Sequence, residues 1–116
     1  MKATPLLKMS DQEIKFIINS LHLHRDTLAW QEKDIFDLGF SKVVYAKKFA
    51  ELDSMEMIII SVSLKKLSIE IFKKYGNKSM KKTRQALINL AHVFDLERIQ
   101  HQMKNNPLDK KKKLTA

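Results

Sequence analysis

Met57, Ile60, Leu64, Leu67 and Ile71 follow one another at steps of three, four, three and four residues, the spacing that returns side chains to one face of an α-helix. The same stretch contains two alternating runs, Ile60-Ser61-Val62-Ser63-Leu64 and Leu67-Ser68-Ile69-Glu70-Ile71, whose period of two fits strands. How residues 54–75 resolve decides between an all-α chain and an α+β chain with a hairpin within 54–72. A hairpin would have to turn on Lys65-Lys66, and neither residue readily takes the positive φ of a tight hairpin turn. Asp53 and Glu56 form a capping box at the N-terminal side, and Gly76 ends the stretch. The seam therefore predicts one long helix, apolar on most sides and central to a bundle.

The other segments read the same way. Ser10 and Glu13 make a capping box for a helix over Asp11 to His24, with Ile14, Ile17, Ile18 and Leu21 on its inner face. Leu28, Trp30, Ile35, Phe36 and Leu38 predict a short helix ended by Gly39, and Ser41 caps a further one carrying Val43, Ala46, Phe49 and Ala50. Ser79 is placed as the cap of a last helix with Met80, Thr83, Leu87, Leu90, Ala91 and Phe94 in its seam. A second seam of Leu96, Ile99 and Met103 suggests a kink or restart at Asp95. Asn105-Asn106-Pro107 stops that helix, since proline lacks the donor and constrains its predecessor. The expectation is a compact all-α bundle of four to five helices over 1–107, followed by a disordered basic tail over 108–116. Trp30 and the six phenylalanines are assigned to the core, except Phe16, which with Leu23 lies off the first helix's main face and could serve an oligomer contact.

Charge narrows the function. The 116 residues carry a net charge of +9, and it is not evenly spread. Up to Asp53, eight basic residues balance eight acidic ones; from Ser54 onward, fourteen basic residues face five acidic ones. A lysine-rich composition alone would load both halves. The excess gathers in Lys73, Lys74, Lys78, Lys81, Lys82 and Arg84, and again in Lys110, Lys111, Lys112 and Lys113. Such a field attracts polyanions. Cations at a helix N-terminus oppose the helix dipole unless an anion is to be bound there. Lys73, Lys74, Lys78, Lys81, Lys82, Arg84 and Gln85 are thus the candidate phosphate- or base-contacting residues, and the tail lysines a flexible arm adding phosphate contacts. In general geometry the 73–85 region resembles a helix-turn-helix presenting its second helix to DNA, without matching its residue spacing.

No catalytic or metal motif is present. His22, His24, His92 and His101 lack ligand spacing: on a helix His22 and His24 point about 200° apart. There is no Gly-rich phosphate loop and no G-x-S-x-G. The absence of cysteine removes disulfides and thiolate metal sites and fits a cytoplasmic protein. The longest apolar run, Met57 to Ile60, is far short of the roughly 20 residues of a membrane span. The sequence predicts a non-enzymatic accessory or regulatory protein without a cofactor, binding nucleic acid as a monomer or homodimer. The alternative is a cationic interaction protein, an inhibitor or adaptor, that binds an acidic protein surface. In length, charge and helical character the chain is similar to bacteriocin immunity proteins, a likeness of composition with no shared motif.

Overall fold

The computed structural model describes residues 3–105. Among the described residues there are four α-helices, α1 (Asp11–Asp26), α2 (Trp30–Ala46), α3 (Ser54–Tyr75) and α4 (Lys81–Asn105), with a 3-10 turn over Lys47–Phe49 after α2. Both capping boxes form. Glu13 donates its backbone N–H to the Ser10 hydroxyl at 3.2 Å while its carboxylate accepts from the Ser10 N–H at 3.0 Å. Asp53 and Glu56 repeat the arrangement at 2.8 and 2.9 Å.

Residues 54–75 form a single helix, and the hairpin alternative is overturned. Met57, Ile60 and Leu64 are fully buried, with Leu67 and Ile71 packed against the same core. The alternating pattern has its own explanation. Ser61, Ser63 and Ser68 are themselves buried, and such small side chains let neighbouring helices approach closely. Ser63 donates to the Ile59 carbonyl at 2.6 Å and Ser68 reaches the Arg84 carbonyl at 3.4 Å, so their hydroxyls are accommodated without strand pairing. α3 packs most extensively on α4 and next on α1. The core is formed by Ile14, Ile17 and Leu21 from α1, the α3 seam, and Leu87, Leu90, Ala91 and Phe94 from α4. Val62 and Ile69 stay exposed, so α3 is less enclosed than its composition suggests.

Three expectations are corrected. The break at Gly39 does not occur: α2 runs through Gly39 and Ser41 as one helix. A lone glycine inside a helix costs about 1 kcal/mol, and here it is offset by tertiary ties on either side. The Arg25 guanidinium grips Asp37 with two bonds of 2.7 and 2.8 Å, and Lys42 pairs with Glu56 at 2.7 Å. The aromatic set is not all core: Trp30, Phe49 and Phe72 are exposed, Phe36 is partly buried, and Phe40 and Phe94 are buried. Nor does α4 restart at Asp95, for it is continuous from Lys81, with Leu96, Ile99 and Met103 on its exposed side.

The segment before α1 contributes core that no periodic pattern announced. Ala3 and Leu52 exchange backbone hydrogen bonds of 2.9 and 2.7 Å, and Leu6 and Met9 are buried beneath this strap.

Two outcomes are expected. Leu64→Ala should lower unfolding stability by about 2 to 5 kcal/mol in denaturant titration, because the side chain is fully buried in the core. Asp95 on α4 reaches Lys65 on α3 at 3.1 Å. Burial pushes its carboxyl up, but the Ser61 hydroxyl and the Lys65 ammonium outweigh that and hold it below its ordinary 3.8. A carboxylate held low in the folded state stabilises it fully above the ordinary value and loses that contribution as pH falls through the folded value. The stability difference between wild type and Asp95→Asn should therefore shrink as pH drops below about 4, as measured by thermal melts across an acid series.

Candidate nucleic-acid interface

The basic region lies at one tip of the molecule, where α3 ends and α4 begins. Gly76 closes α3 at φ +83°, donating its N–H to the Phe72 carbonyl at 2.8 Å; only glycine takes this conformation without strain. The chain reverses over 77–80, and α4 returns antiparallel along α3, as the Ser68–Arg84 and Lys65–Asp95 contacts show. This is an αα-hairpin rather than the steep crossing of a helix-turn-helix. Met80, expected in the apolar seam of α4, instead sits exposed just before the helix at φ +56°, and its carbonyl accepts the Arg84 N–H at 2.9 Å.

The lysines divide into groups. Lys78, Lys81 and Lys82 are exposed and line one open depression together with Met80, Thr83 and Gln85. No acidic residue occupies the first turn of α4. The helix N-terminus is itself partly positive, so these ammonium groups and the dipole act with the same sign on whatever occupies the depression. Gln85 donates its amide to the Asn89 side chain at 2.9 Å, one turn further on. Asn89 is therefore an added candidate; its only sequence signal was the four-residue step from Gln85.

The remaining cations are arranged differently. Lys73 lies 3.8 Å from Glu70 and lines a separate hollow with Leu23, Thr27 and Lys66. Lys74 extends over the Tyr75 ring at 5.4 Å. Arg84 is half-buried: its guanidinium stacks over the Phe72 ring at 5.2 Å and donates to the Asn77 carbonyl. Arg84 thus clasps the turn, with its charge held close to the depression rather than projected from it. Lys110 to Lys113 lie outside the described residues.

Set against known protein families, curated proteins and solved structures, the chain matches none. The site is read from its own chemistry. Among the described residues no group of three His, Asp or Glu side chains could hold a metal ion, and no helix is long and apolar enough to cross a membrane. His24 is held below its ordinary value, first by burial and then by Lys66, whose ammonium lies 3.4 Å from its ring.

The division of labour predicts different responses to mutation. Arg84→Ala removes a stacked cation and a hydrogen bond to the turn, and should destabilise the protein by about 1 to 2 kcal/mol. Lys81→Ala, at an exposed position, should change stability by less than about 0.5 kcal/mol. Parallel thermal melts of the two variants check this.

Proposed function

We propose that the protein is a non-enzymatic nucleic-acid-binding accessory or regulatory protein, acting in the cytoplasm, that engages phosphates through the tip of the α3–α4 hairpin. The observation that carries this reading is the shared depression of Lys78, Lys81 and Lys82 at an α-helix N-terminus with no acid in its first turn. Each ammonium offers up to three donors to a phosphate oxygen, and displacement of condensed counterions supplies the affinity. Gln85 lines the same depression as the cations, and an amide can pair with a base edge or a sugar. Lys73 and Lys74, in the last turn of α3, extend the field around this centre.

The test uses a labelled duplex and anisotropy titrations at several salt concentrations. Replacing Lys78, Lys81 and Lys82 by alanine should weaken binding and reduce the slope of log K against log salt by about 2 to 3, since each phosphate contact contributes about 0.9. The triple replacement of Lys8, Lys15 and Lys33 removes the same charge from the neutral half and should change the slope little. Arg84 stays in place in both variants, so the turn is kept. Equal losses in the two triples would replace a localised site with bulk attraction. Absence of binding by the wild type at low salt would exclude nucleic acid and leave an acidic protein surface as the partner.

A further inference from the structure

α2 buries Phe40 and Val43 and partly covers Phe36, yet its opposite side is also apolar. Trp30, Leu38 and Tyr45 fall at steps of eight and seven residues, with Asp34 and Ser41 between them, so the five residues form one stripe along the helix. Trp30 is 72% exposed, Leu38 83% and Tyr45 86%; Ile35 at 74% adjoins the stripe, and Phe49, in the turn that follows the helix, is 73% exposed. A helix apolar on both sides is ordinarily covered on both. We propose that this outward face of α2 seats a second copy of the chain, packed antiparallel about a two-fold axis.

Three observations select that occupant. The first is area. With large aromatic side chains each offering roughly 150 to 250 Å², the exposed part of this face comes to the order of 800 Å², which is what one partner contributes to a standard-sized interface.

The second is self-complementarity, which a two-fold interface demands: if residue i meets residue j, then j must meet i. Reversing α2 about the point between Gly39 and Phe40 carries Asp34 onto Tyr45, Ile35 onto Val44 and Leu38 onto Ser41. A large side chain meets a small one near the centre, two branched aliphatic side chains meet beside it, and a carboxylate meets a phenol that can donate to it.

The third is charge. Exposed Glu32 and Asp34 lie near the start of α2, and exposed Lys47 and Lys48 just beyond its end. Antiparallel packing brings unlike ends together; parallel packing would stack like on like. An anionic lipid surface suits the helix less well, because Trp30–Ala46 contains three acids against two lysines, whereas surface-seeking helices are rich in cations.

The experiment uses the full chain. Sedimentation equilibrium should give a species of twice the 13.6 kDa chain mass, and the emission of Trp30, the sole tryptophan, should shift to the blue as concentration rises. Leu38→Asp should raise the dimer dissociation constant at least about tenfold while leaving far-UV circular dichroism unchanged. Leu96→Asp, on the exposed side of α4, should leave the dimer intact. The chain has no cysteine, so orientation can be read directly: Asp34→Cys mixed with Tyr45→Cys should form a disulfide-linked heterodimer on oxidation, and Asp34→Cys alone should not. A wild type that is monomeric at all concentrations, a dimer lost with Leu96→Asp and kept with Leu38→Asp, or cross-linking of Asp34→Cys with itself would each overturn the proposal.

Discussion

The fold depends on a single shared contact, the burial of the Met57–Ile60–Leu64 seam of α3 between α4 and α1. These three side chains have no exposed surface, and both of the extensive helix–helix interfaces involve their helix. Apolar area removed from water contributes in proportion to its extent, so cooperativity is concentrated in the α1, α3 and α4 layer. α2 is anchored more lightly, by Phe40 and Val43 and by the Arg25–Asp37 and Lys42–Glu56 pairs. Glu56 serves twice, since the carboxylate that completes the α3 cap also holds Lys42. The entry into α3 and the position of α2 are thereby coupled through one side chain, and local opening should be most frequent in α2.

At the hairpin tip the same chemical type, a long cationic side chain, does two different things. Arg84 has a planar guanidinium that can stack on Phe72 while donating to a carbonyl, and a lysine could not reproduce both. Lys78, Lys81 and Lys82 are compact charges on flexible stems at exposed positions, suited to following phosphate oxygens in varied geometry. The turn is held by the one, and its outward field is supplied by the others.

What could be read in the sequence was local. The capping boxes at Ser10 and Asp53, the stop at Gly76 and the α3 seam each depend on residues within a few positions of one another, and all four are present. α2 resisted the same reading because periodicity reports a helix only when one side is apolar. With Trp30, Leu38 and Tyr45 opposite Phe40 and Val43, the pattern looked broken, and Gly39 lent itself as the break. Leu6 and Met9 were missed because their burial follows from a backbone pairing with Leu52, far along the chain. At the candidate site the cluster of charge was legible, since it is contiguous. Its partition was not: Phe72 beneath Arg84 and Glu70 beside Lys73 decide which cations project, and those are facts of packing.

The strap between Ala3 and Leu52 bears on how the molecule is made. Residues 4–9 lie against both the connector before α3 and the middle of α4, where Val93 and Glu97 border them. Synthesis runs from N- to C-terminus, so Leu6 and Met9 are made well before α4 and reach their full cover only when α4 has docked. Until then the growing chain exposes a short apolar segment that only a distant helix can enclose.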